Sequence, residues 1–244
     1  MKILAFDSTA RAASVAVCED ERLLGLYTID NGLTQSELLL PMAENLLESL
    51  KLSFDDIGLL CAAVGPGSFT GVRIGVSLVK GIAFGKNIPC VSVSTLDALA
   101  ENTAPLVGIL LPCMDAKRGQ VYTAIYKSDG TSVKKITEDM AISIDSLADI
   151  LKSLGKQNIY ISGDGYNVAK SGLEKLGVKT MNTPTLLITE NAYSCAAVAF
   201  KKYRNEDYMT DTEISPTYLR LPQAERERLE REQQLRNQKQ GDAN

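Results

Sequence analysis

The stretch GPGSFTGVRIGV, from Gly65 to Val76, limits the fold more than any other part of the sequence. It opens as a turn, with Ser68 placed to cap a helix. Glycine then recurs at 67, 71 and 75, so one stripe of that helix carries no side chains. Each glycine inside a helix costs about 0.5–1 kcal/mol relative to alanine. A second backbone, expected to be that of another helix, lying close to the helix axis would offset that cost. The spacing leaves open whether it belongs to this chain or to a partner. Arg73 and Lys80 flank the stripe and suit a polar rim. The stretch does not fit the phosphate-loop templates. A G-x-x-x-x-G-K-[ST] loop fails because Val72, not lysine, follows Gly71. A G-x-G-x-x-G loop fails at Thr70.

The 244 residues contain no histidine. That removes imidazole zinc ligands, a histidine general base and a Ser-His-Asp triad. No Asp/Glu group has the loop spacing of a carboxylate metal site. The hydrolase classes that depend on those groups drop out, and no metal site is expected. Net charge is -4, from 26 basic and 30 acidic residues, with no basic stripe in the body of the chain. Unaided binding to a nucleic-acid backbone needs such a stripe. The five cysteines, Cys18, Cys61, Cys90, Cys113 and Cys195, form no C-x-x-C pair, and four lie in apolar runs. They read as small buried thiols. No apolar run reaches the ~20 residues of a membrane span, and MKILAFDST meets Asp7 too early for a signal peptide. The expected location is cytoplasmic.

Along the chain, KILAFDST, ASVAVCED and ERLLGLYTID read as an antiparallel meander. A helix follows, with Leu39, Met42, Leu46 and Leu50 at helical spacing and Pro41 in its first turn or at a kink. IGLLCAAV suits a buried parallel strand. The glycine-striped helix then stops at Gly85, and IPCVSVS and TLDALAEN add a strand and a helix. The order β-β-β-α-β-α-β-α is echoed from VGILLPCMDAKRGQVYTAIYKSDG onward, which reads as an apolar strand ending in Asp115, a turn and a returning strand. Asp7 and Asp115 would then hold equivalent strand ends. Ser143 caps the next helix and Gly155 ends it. The expected domains are 1–104 and 105–221, with a charged helical or disordered tail over 222–244. Pairs such as Glu227 with Arg231 would support that tail.

Together, GPGSFTGVRIG, KILAFDSTARAASVAV, TQSELLLP, VSTLDALA, MDAKRGQVYTAIY and PTYLR resemble the bacterial TsaB (YeaZ) family from Lys2 to about Arg220. The resemblance implies an α/β chain of actin-like ATPase (ASKHA) fold, with two RNase-H-like domains, each a mixed sheet flanked by helices. It implies a non-catalytic subunit that binds the related enzyme TsaD, with TsaE, and forms a homodimer when TsaD is absent. The complex moves a threonylcarbamoyl group onto the adenosine beside the anticodon of tRNAs reading codons that begin with A. Contact with tRNA would be indirect. The partner face implied is Thr34, Gln35 and Leu38 with Gly67, Ser68, Thr70, Gly71, Arg73 and Gly75. Many family members carry a histidine where this chain has Leu33. ATP-binding loops of the fold pair an aspartate with a nearby glycine. Asp7-Ser8-Thr9 and Asp115-Ala116-Lys117 lack it, while Gly163 and Gly165 follow a strand as in an adenosine loop. These residues are weak nucleotide candidates, with no cofactor of the chain's own expected and ATP or ADP met at the partner interface. The alternative is an ATPase or glycoprotease-like peptidase acting alone. A sugar-kinase or acetate-kinase relative, sharing the fold, would need intact phosphate loops.

Overall fold

A computed structural model describes residues 1–220; the tail expected over 222–244, with its Glu227–Arg231 pair, lies outside the described residues. β1 (Lys2–Asp7), β2 (Ala13–Glu19) and β3 (Arg22–Ile29) form the expected antiparallel meander. α1 (Gln35–Ser49) follows. Pro41 stands in its second turn on the exposed side, not in the first, so the Glu37 carbonyl loses its helical donor. β4 (Leu59–Ala63) then runs parallel to β1, followed by α2 (Phe69–Ala83), β5 (Cys90–Val93) and α3 (Thr95–Asn102). The sheet order is β3-β2-β1-β4-β5, the arrangement of an RNase-H-like half.

The second half repeats this plan around β6 (Gly108–Asp115). The returning strand expected after it is two strands. β7 (Gln120–Thr123) pairs with the end of β6 and β8 (Tyr126–Ser128) with its start. Between them the Ile125 N–H leaves the ladder and donates to Thr137 Oγ1 at 2.9 Å. β9 (Val133–Lys135) extends β8, and β10 (Met140–Ser143) pairs with β7. α4 (Ile144–Ser153), capped by Ser143 as expected, leads to β11 (Ile159–Ser162), parallel to β6. α5 (Tyr166–Lys175), the short α6 (Thr185–Ile188) and α7 (Ala192–Arg204) complete the described helices.

Strand alternation divides the first core into two layers. Leu4 and Phe6 of β1 face α1 and α2, while Ile3 and Ala5 face α7. The halves exchange their last helices. α3 sets Leu96, Leu99 and Ala100 against Leu110, Met114 and Tyr126 of the second half. α7 lays Ala192, Cys195, Ala196 and Ala199 on the first sheet. The 104/105 boundary thus falls in a loop, but the packing crosses it in both directions. All five cysteines are free and buried. Burial pushes the Cys18 and Cys113 thiols up to about 12 and Cys90 to about 11, so they act as apolar fillers.

Exchanged helices should make unfolding a single event. Leu96 is fully buried, so Leu96→Ala should cost about 2–5 kcal/mol. Denaturant curves followed by far-ultraviolet dichroism and tyrosine fluorescence should move together. Two separated transitions would show that the halves fold independently.

Candidate functional site

The glycine stripe faces the chain's own β1–β2 turn. The Ser8 and Thr9 carbonyls lie so close to α2 that a Cβ at Gly71 or Gly67 would overlap them, and one at Gly75 would stand 2.7 Å from Ser8 Oγ. Polar bonds fix the approach. Ser68 N–H donates to Thr9 O at 2.6 Å, and Ser8 Oγ donates to Gly71 O at 2.8 Å. Ser68 Oγ caps α2 by accepting from Gly71 N–H at 3.2 Å. Expecting a helix against the stripe is therefore corrected: the contact is a strand-to-strand turn. Gly71 and Gly75 are buried, so these two leave the partner face, while Gly67 is half-buried. A turn fits where a helix was expected because its bare carbonyls need no side-chain space.

The other candidates remain outward. Ser68, Thr70 and Arg73 are exposed on α2, as is Thr34 at the start of α1, while Gln35 and Leu38 are half-buried. Thr34 N–H and Oγ1 donate to the Glu37 carboxylate at 3.2 and 2.8 Å, which holds that carboxyl below its usual range. Gln35 Nε2 donates to Ala10 O at 3.0 Å, tying α1 to the same turn. Between α1 and α2 lies a groove of about 550 Å³, with Leu39, Leu40, Ile74 and Leu78 inside and Thr70 and Arg73 at its edge. Lys80, read as a rim residue, donates instead to Thr212 O at 3.1 Å.

A larger cleft of about 770 Å³ separates the halves. Of the nucleotide candidates, Asp115 alone lines it. Asp7, Ser8 and Thr9 are 2%, 1% and 0% exposed beneath α2, so no phosphate reaches them without moving that helix. Gly163 and Gly165 are also buried. Their backbone lies on the Cys113 carbonyl, to which Gly165 N–H donates at 2.9 Å. The residues present do not fit a nucleotide in the manner of the fold. Asp115 accepts from Lys117 N–H at 2.8 Å and pairs with Lys117 Nζ at 2.7 Å, which raises the lysine's pKa. Asp7 repeats the motif, accepting from Thr9 N–H at 3.0 Å, so the two aspartates are equivalent in geometry as well as position. No group of three metal-ligating side chains occurs among the described residues.

Sequence reasoning missed three participants. Phe69 lines both groove and cleft; Tyr218 and Arg220 line the cleft from the last described segment. PTYLR was legible as a motif, but nothing in it signals what it touches. Glu190 was missed too. It is 6% exposed and accepts from Asp164 N–H at 2.9 Å. Burial, then the Asp7 carboxylate and then Asp164, push its carboxyl up to about 8. Burial likewise raises Asp7, whose Oδ2 has no hydrogen-bond partner.

The family model for TsaD, tRNA N6-adenosine threonylcarbamoyltransferase, matches residues 34–228. The tRNA threonylcarbamoyladenosine biosynthesis protein TsaB of Buchnera aphidicola subsp. Schizaphis graminum is 30% identical over 174 residues, 69% of this chain and 80% of that one. The chain belongs to the TsaB (YeaZ) branch of the TsaD family. TsaB of Bacillus subtilis is 28% identical over 231 residues, covering 94% of this chain and 99% of that protein. The solved structure of YeaZ from Pseudomonas aeruginosa superimposes with a TM-score of 0.70 at 21% identity, covering 89% of this chain and 99% of that one. It shares the fold, and with it the actin-like plan of two RNase-H-like halves. No helix among the described residues is long and apolar enough to cross a membrane.

Gly71→Ala should lower stability by several kcal/mol, on the order of a severe overpacking; a variant melting like the parent would show that the turn can yield. Glu190 holds its proton to about pH 8 in the fold but to about 4.5 when unfolded. Its contribution is present below pH 4.5 and is lost as pH climbs through 8. Glu190→Gln should therefore melt higher than the parent at pH 8.5, with the gap closing toward pH 5. A gap independent of pH would mean that Glu190 does not titrate there.

Proposed function

We propose that the chain is a non-catalytic scaffold and activator subunit, cytoplasmic, that docks TsaD, with TsaE, for threonylcarbamoyl transfer to the adenosine beside the anticodon of tRNAs reading codons that begin with A. The observation that carries this reading is the closure of the turn after β1. Where an enzyme of this fold would admit phosphate, Asp7, Ser8 and Thr9 are sealed under α2. Family relatives named for threonylcarbamoyladenosine biosynthesis support the pathway.

Docking is assigned to the groove between α1 and α2. Leu40 is 40% and Phe69 38% exposed there, an apolar surface of the kind that helix-in-groove partners cover. A second copy would use the same surface when TsaD is absent. ATP or ADP would be met at the partner interface, since the Asp7 loop is filled and Gly163 and Gly165 are buried. Contact with tRNA would come through the complex. An ATPase or peptidase acting alone draws no support from the described residues, which combine no histidine with a closed loop.

A reconstitution decides between them. TsaD, TsaE, ATP, threonylcarbamoyl-adenylate and tRNA are mixed with and without the chain; modification should fall to background without it. Equal modification in both would end the scaffold reading. Leu40→Glu should weaken TsaD binding by at least about tenfold, the scale of an interface hot spot, without shifting the melting temperature. Undiminished co-purification would move the docking site elsewhere.

A further inference from the structure

Arg73 stands where the docking groove meets the last described segment of the chain, and its contacts are one-sided. Its guanidinium carbon lies 3.8 Å from the Phe69 ring centre and 5.7 Å from that of Tyr218, with the two rings 5.1 Å apart. Its Nε donates to Tyr218 Oη at 2.7 Å. Among the described residues no carboxylate pairs with it, and no acidic side chain lines the groove. Among the described residues the Nη1/Nη2 fork is thus free, on a side chain already held by stacking. Such an edge matches a carboxylate bidentately, and the ordering cost of a long side chain is largely met beforehand.

Tyr218 belongs to a strap that runs from the first half to the second. Met209 pairs with Cys90 through two backbone bonds of 2.8 and 2.9 Å, and Ile214 is fully buried in the first core. Thr217 N–H donates to Val64 O at 2.8 Å. Arg220 then reaches across, donating to Gln120 Oε1 and to Ala116 O at 3.4 Å, with its guanidinium over the Tyr122 ring. Thr217 to Arg220 form a wall of the cleft. One arginine therefore touches both the docking groove and the cleft wall.

We propose that Arg73 is the specificity anchor of the groove, taking one carboxylate from an otherwise apolar partner helix on its free Nη pair, and that through Tyr218 this contact fixes the strap along the cleft. The proposal rests on the docking reading above. It selects among apolar helices for one with an acidic residue opposite Arg73, and it makes the strap report whether the groove is filled.

The test uses the full chain and TsaD. Affinity is measured calorimetrically at 50 and 300 mM salt, and amide exchange is followed over residues 215–220. The unmutated chain should bind more weakly at high salt and gain protection over 215–220 when bound. Arg73→Gln should bind at least tenfold more weakly at 50 mM salt and lose the salt dependence, with Arg73→Lys intermediate. Tyr218→Phe keeps the ring but not the bond to Nε, and should lose most of the gained protection. Arg73→Gln binding within twofold of the parent, with the parent's salt response, would overturn the anchor while docking stands. Unchanged exchange over 215–220 at saturation would overturn the link to the strap. An unmutated chain that does not bind TsaD would overturn the docking reading and the anchor with it.

Discussion

The arrangement depends on backbone-to-backbone contact between α2 and the turn after β1. Interior glycines weaken a helix, yet here they admit the Ser8 and Thr9 carbonyls to the helix surface. The contact sets the position of α2 against the first sheet. It buries Asp7 without giving its Oδ2 a hydrogen-bond partner. It also brings Phe69 and Arg73 to the outer rim, where groove and cleft meet. A helix held farther out would leave the turn open to a ligand. A helix held at this distance turns a pocket into a packing joint and leaves the opposite helix face for other uses.

The two halves show what the joint changes. Asp7 and Asp115 end equivalent strands and accept the same backbone bond from the residue two positions on. Around Asp7 the space is filled and the carboxyl is driven up by burial. Around Asp115 the turn stays open, and Lys117 answers the charge in solvent. The same local motif has thus become structural in one half and surface-exposed in the other, and the difference lies in what packs on it.

Much of the architecture was legible because it is written in local patterns. The apolar run of β1, the cap at Ser68 and the stop at Gly85 act over a few residues, and all three stand as read. The partner of the glycine stripe was not legible, because 67, 71 and 75 declare only that something lies close. Whether that is a helix or a turn is settled by residues some 60 positions away. The division of one expected strand into β7 and β8 depends on Thr137 taking the Ile125 N–H. The site was hardest where distant segments converge. Glu190 meets Asp164, and Tyr218 meets Arg73, across long stretches of chain. Neither pairing has a periodicity to betray it.

The exchange of terminal helices bears on the order in which the protein can be made. One face of the first sheet, with Ile3, Ala5, Leu59 and Cys61, is covered by α7, which ends only at Arg204. While the chain grows from its amino terminus, that face has no cover of its own. The first half therefore waits, with an apolar sheet open to solvent, until nearly all the described residues have been synthesised. A chaperone that shields strand-rich apolar surfaces would find its substrate in that interval.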